Sequence, residues 1–166
     1  MRSADKISVE VELMPSATDE VRTLISELDQ MLSSEYPPEQ RHGLALDAIF
    51  RPNIRFFLAR LNGTAVGCGG VAWFVDFAEV KRMYVRDVAR GRGVAQALLA
   101  RIEAEARAAG YAVLRLETGV RQSAALRFYQ RAGFQICEAF GVYAAMAPQA
   151  VATSVFLQKQ LTAGTR

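Results

Sequence analysis

The segment Val85-Arg86-Asp87-Val88-Ala89-Arg90-Gly91-Arg92-Gly93-Val94-Ala95 constrains this chain more than any other. A β-branched run gives way to a short basic loop with two glycines, and a helical pattern starts directly after it. Gly91 and Gly93 let the backbone approach a bound group without a Cβ in the way. Successive amides can then form a nest, and the positive end of the helix adds to their pull on an anion. With Arg90 and Arg92 beside them, these amides make a candidate diphosphate site.

Two familiar phosphate loops fit poorly. The dinucleotide pattern G-x-G-x-x-G needs a third glycine where this chain has Gln96, and it directly follows the first strand of a βαβ unit. Here the loop lies in mid-chain, several residues beyond the expected strand end. One feature favours that reading: Glu117 ends the next strand about 20 residues on, where a ribose-binding acid is expected. A Walker A loop is excluded, because no Gly-Lys-Ser/Thr occurs.

The surrounding pattern predicts one mixed sheet with helices on both faces. Ile7 to Leu13 alternates as a half-buried strand. Ser16 or Thr18 caps a helix with the stripe Val21, Leu24, Ile25, Leu28 and Leu32. A loop with Glu35, Tyr36, Pro37, Pro38 and Glu39 follows, then a short helix from about Leu44 to Phe50. Asn62-Gly63 joins strands Ile54–Leu61 and Ala65–Val75 as a hairpin, and Glu79 to Val85 extends the meander. Helices from Val94 and from Ser123 to Ala132 are expected to stop at Gly110 and Gly133. Strands are expected at 113–118, 134–138 and 153–161, the last two joined by a loop with Phe140, Gly141, Tyr143 and Pro148.

At 166 residues and 51% hydrophobic composition, the chain is expected to be a single domain over 1–166 with a true core. A net charge of +3 suits an anionic ligand but is too weak to argue for nucleic acid. Cys68 and Cys137 lack ligand spacing, and a lone His42 leaves no metal site or His-based nucleophile pair in view, so no metal is expected. His42 itself reads as a surface residue. No apolar signal core or membrane-length run occurs, so the expected location is cytoplasmic, with no membrane partner.

Arg90-x-x-Gly93-x-Ala95 resembles the Gln/Arg-x-x-Gly-x-Gly/Ala signature of the GNAT superfamily of acyl-CoA-dependent N-acyltransferases. Downstream, Gln122, Ala125, Leu126, Phe128, Tyr129, Gly133 and Phe134 resemble that family's Asn-x-x-Ala-(Ile/Leu)-x-(Leu/Phe)-Tyr-x-x-x-Gly-Phe. The resemblance covers 55–134 most closely. It implies an α+β fold with a central mixed, mostly antiparallel sheet of about seven strands. It also implies acetyl-CoA as acyl donor, with backbone groups of Met83, Tyr84 and Val85 beside its pantetheine. The amides of Arg90, Gly91, Arg92, Gly93, Val94 and Ala95 would hold the pyrophosphate. Gln122 would touch the pantetheine, and Tyr129 would sit near the thioester sulfur.

Acyl transfer needs a neutral amine. An amine of pKa near 10.4 is about 1 part in 10³ neutral at pH 7, a cost of about 4–5 kcal/mol that a base must offset. Glu79 is the first candidate: it starts the strand leading into the phosphate loop, and Phe77-Ala78-Glu79 resembles the segment bearing the base in histone-type acetyltransferases. Glu117 is the reserve. Tyr129 can hydrogen-bond the departing sulfur and protonate it, and the Val85 N–H is the expected oxyanion donor. Tyr36, Trp73 and Tyr143 could wall an acceptor pocket; Trp73 reads first as core, whereas Tyr36 and Tyr143 are expected to be exposed by their loops. The expected activity is direct acetyl transfer, in a ternary complex, to a primary amine of a small molecule or peptide, with a homodimer as a possible assembly. The alternative is a non-catalytic acyl-CoA-binding sensor or interaction module, and a nicotinamide-dependent enzyme stands third.

Overall fold

Asn62 and Gly63 turn the chain with φ of 50° and 88°, the paired left-handed geometry a two-residue hairpin needs to match strand twist. They join β2 (Ile54–Leu61) and β3 (Thr64–Trp73), antiparallel as the Asn-Gly signal predicts. The computed structural model describes residues 7–161. Within them β1 (Val9–Leu13) pairs with β2, and β4 (Ala78–Val85) pairs with β3. With β5 (Val113–Gly119), β6 (Gln135–Cys137) and β7 (Ser154–Gln160), they form one sheet in the order β1-β2-β3-β4-β5-β7-β6. Every neighbouring pair is antiparallel except β4 and β5.

Side-chain alternation along β2 explains why helices cover both faces. Phe56 and Leu58 point to α1 (Asp19–Glu35), where they pack with Val21, Leu24 and Ile25. Phe57 and Ala59 point the other way, into a core with Leu98 and Ile102 of α2 (Val94–Ala108) and Tyr129 of α3 (Ser123–Arg131). Each fully buried Leu, Ile or Phe contributes about 1.5–3 kcal/mol, so this two-sided burial fixes the sheet's register. Thr18, not Ser16, caps α1, its hydroxyl accepting from Val21 N at 3.3 Å.

One expected element does not form. The helix around 44–50 is reduced to a single 3₁₀ turn at Ala48–Phe50. Leu44, Leu46, Ile49 and Phe50 still pack into the α1 cluster, so the apolar signal was real. Seven residues between Gly43 and Arg51-Pro52 allow fewer than two α-helical turns to offset the cost of nucleation, and the position before proline disfavours the helix further.

The parallel junction of β4 and β5 is short. Only Ala78↔Leu114 and Glu79↔Arg115 are paired; beyond them the strands diverge. On its other edge β4 carries a bulge, with Arg82 and Met83 facing the single residue Gly69 and Arg82 at φ 55°.

Candidate active site

Where β4 and β5 part, a cleft of about 820 Å³ opens between them. It is lined from both faces of the sheet, by Leu28, Met31 and Glu35 of α1 on one side and by Val94, Phe128 and Tyr129 on the other. From Val80 onward, β4 has no strand partner on its β5 side among the described residues. Successive amides of a strand point to opposite edges. Arg86 N donates to Val66 O on the β3 side at 2.9 Å, so the Val85 N–H faces the cleft.

The basic loop lies at one end of the cleft. Its chain makes a 3₁₀ turn at Asp87–Ala89, and Gly91 and Gly93 then adopt φ of 75° and 81°, a region that favours glycine. Gly93 is the residue before α2, and no side chain caps that helix. Among the described residues the amides of Gly91 to Gln96 donate to no protein group. Arg90, Gly91, Gly93, Val94 and Ala95 all line the cleft; Arg92 does not, and Arg90 pairs with Asp87 at 3.0 Å. This is a free anion nest at a helix N-terminus.

Tyr129 stands on the same side. Its ring is buried between Phe128 and Phe134, at centroid distances of 5.3 and 5.5 Å, and the residue lines the cleft. Burial pushes the phenol above its usual pKa, so it stays protonated at neutral pH. Gln122 also lines the cleft, but its side chain is engaged within the protein. Tyr36 Oη donates to Gln122 Oε1 and accepts from Arg121 N at 2.9 Å, while Gln122 Nε2 donates to Glu35 Oε2 at 2.6 Å. The C-terminal end of α1 is thereby latched to the turn between β5 and α3.

The opposite end is a polar cluster. Glu79 lies at the start of β4, as expected, and is 3% exposed. Its Oε2 accepts from Tyr143 Oη at 2.7 Å and lies 2.7 Å from Lys81 Nζ, which also donates to Tyr143 Oη at 2.9 Å. Burying a carboxylate requires such partners. Glu117 is less enclosed and accepts from Ser154 Oγ at 2.8 Å. Burial raises its pKa above the ordinary carboxylate range, and the like charge of Glu79 adds to the rise. The Ser154 hydrogen bond and the charges of His42 and Lys81 oppose it.

Two expectations need correction. Tyr36 and Tyr143 are not exposed: both line the cleft while packed to 5% and 4% exposure, because each hydroxyl is bonded across the fold. Trp73 packs against the core as expected and stacks on Tyr111 at 5.1 Å, away from the cleft. His42 is no plain surface residue, since its Nε2 meets Ala150 O at 2.7 Å and its ring lies edge-on to Tyr143. Lys81, Arg41, Arg82 and Arg121 also line the cleft and were missed. No local motif marks Arg82 and Arg121, since their partners Asp29 and Glu35 come from distant segments. Neither cysteine lines the cleft, and burial raises the Cys68 thiol to about 12, which makes it a poor nucleophile. No group of metal-ligating side chains occurs among the described residues, and no helix among them is long and apolar enough to cross a membrane.

The model of the acetyltransferase (GNAT) family matches residues 20–134. The chain is 45% identical over 145 residues to an IAA acetyltransferase of Azospirillum brasilense, covering 86% of this chain and 92% of that protein. A solved structure from Klebsiella pneumoniae, assigned as an acyl-CoA N-acyltransferase, superposes with a TM-score of 0.73 at 32% identity, covering 93% and 98% of the two chains. The PaiA N-acetyltransferase of Thermoplasma acidophilum, solved in complex with coenzyme A, shares the fold with a TM-score of 0.64 at 17% identity, covering 91% and 99%.

Proposed function

The chain belongs to the GNAT acetyltransferase family and is an acyl-CoA-dependent N-acyltransferase, and from that premise we propose that it moves an acetyl group from acetyl-CoA directly to a primary amine. The observation that carries this reading is the cleft itself. It has an unpaired amide nest at one end, a protonated phenol on its wall and a carboxylate of raised pKa at the other end.

In this reading the amides from Arg90 to Ala95 bind the pyrophosphate, and the open edge of Met83, Tyr84 and Val85 takes the pantetheine as a strand-like partner. Glu117 is the general base. A carboxylate with a raised pKa removes a proton from an ammonium more readily than an ordinary one, and its half-buried oxygen is less committed than that of Glu79. Glu79 fixes Lys81 and Tyr143, which shape the acceptor end. The neutral amine attacks the thioester carbonyl, and the Val85 N–H stabilises the oxyanion. The C–S bond then breaks, the proton shed by the new amide nitrogen goes to the departing sulfur, and the CoA thiol leaves beside the Tyr129 hydroxyl. A buried phenol is a weaker acid than a thiol, so Tyr129 chiefly donates a hydrogen bond to the sulfur and does not give up its proton outright. Gln122 braces the wall through Tyr36 and Glu35.

A coupled thiol-release screen with acetyl-CoA over amino acids, polyamines, aminoglycosides and peptide N-termini tests the proposal, with calorimetric titration of CoA alongside it. Release with at least one amine class is the expected result. CoA binding without release from any amine would replace this reading with that of an acyl-CoA sensor.

A further inference from the structure

Two guanidinium groups on the cleft have no part in the chemistry above. Arg82 sits on the β4 bulge, its side chain only 4% exposed. It donates to Asp29 of α1 through Nη2, while its Nε is buried with no hydrogen-bond partner among the described residues. Arg41, between α1 and β2, has a second buried Nε in the same condition. Both residues line the cleft, as do Glu79, Lys81, Glu117 and Tyr143.

Arg82 packs against the 40–43 segment that carries Arg41. Gly43 rests against Arg82 so closely that an ideal Cβ there would fall 1.8 Å from Nη1. Gln40 Nε2 and His42 Nε2 anchor the same segment to Gln149 O and Ala150 O, at 3.3 and 2.7 Å. No carboxylate among the described residues pairs with Arg41, and Asp29, which pairs with Arg82, is itself 59% exposed. A buried donor left unpaired costs about 1–3 kcal/mol, and more when it is charged. Two arginines that line one cleft, each with a donor left unpaired, call for an anion.

Building on the acetyltransferase reading, we infer that the acceptor carries an anionic group, a carboxylate or a phosphonate, in addition to its amine, and that Arg41 and Arg82 bind it. The guanidinium fork matches either oxyanion. The substrate class is a small zwitterion, its ammonium toward Glu117 and its anion toward the arginines.

The test measures thiol release from acetyl-CoA with amino acids, their carboxamides and aminoalkylphosphonates of matched length. The kcat/KM for the anionic amine should exceed that for its neutral counterpart by about tenfold or more, the fold-change of one charge-assisted hydrogen bond. Whichever anion gives the larger ratio identifies the group. In Arg41→Gln and Gly43→Ala the ratio should collapse toward one, through KM for the amine. Unchanged Tm and acetyl-CoA affinity would show that the fold is intact. Arg82→Lys, which keeps the charge but loses the fork, should lower the ratio partway. Thiol release indifferent to the anion, or a ratio unmoved in all three variants, overturns this inference alone. No release from any amine, anionic or neutral, overturns the acetyltransferase reading and this inference with it.

Discussion

In the proposed reaction, Glu117 and Tyr129 put burial to opposite uses. A carboxylate is made more basic by leaving water, and a phenol is made a more reluctant acid. Glu117→Gln should lower kcat/KM about a hundredfold or more near neutral pH. The loss should shrink as pH climbs toward the amine's own pKa, where substrate arrives already deprotonated. The same variant carries a stability signature. The folded pKa of Glu117 lies above its unfolded value, so stability falls as pH rises through the window just above the ordinary carboxylate range. Removing that ionisation should leave Tm at or above the parent's at neutral pH, read by thermal denaturation across pH. Tyr129→Phe should lower kcat about tenfold to a hundredfold, the weight of a hydrogen bond to a charged group, with KM for acetyl-CoA little changed in steady-state kinetics.

At the scale of elements, the proposed role of the loop leading into α2 rests on its main chain, so its sequence is read as geometry. Gly93 combines φ of 81° with a position directly before the helix. Gly93→Asp strains that backbone and sets a negative charge in the nest; CoA affinity measured by calorimetry should fall at least tenfold, about 1.4 kcal/mol. Such local devices were legible in the sequence. The Asn62-Gly63 hairpin, the glycine loop and the helix ending at Gly133 each depend on residues a few positions apart. The acceptor end was not legible, because its contacts join segments far apart in the chain. Lys81 meets Tyr143 across 62 residues, and His42 meets Ala150 across 108. Tyr36 misled for the same reason: its loop position says exposed, but its hydroxyl is bonded to the turn before α3. The false helix at 44–50 shows apolar spacing satisfied without helical hydrogen bonds, since burial alone was needed there.

For the molecule as a whole, the β2-β3-β4 meander and the helices on both faces followed from alternation and periodicity, while the order of the remaining strands and the parting of β4 from β5 did not, since no residue pattern announces where a parallel pair stops. Acetyl-CoA bound along that opening should stabilise the fold by mass action. At a free concentration a hundred times Kd the gain is about 2.7 kcal/mol, or roughly 5–10 °C in Tm for a chain of this size, measurable by differential scanning fluorimetry.

A sheet that gapes after two paired residues is a doorway with two thresholds. In the proposed reaction the thioester would come in past α2 and the nucleophile past α1, elements that line the cleft from opposite faces of the sheet, and neither would have to withdraw to admit the other. Double-reciprocal plots at several fixed concentrations of the second reactant should therefore intersect, where a protein that parked the acyl group on itself would give parallel lines.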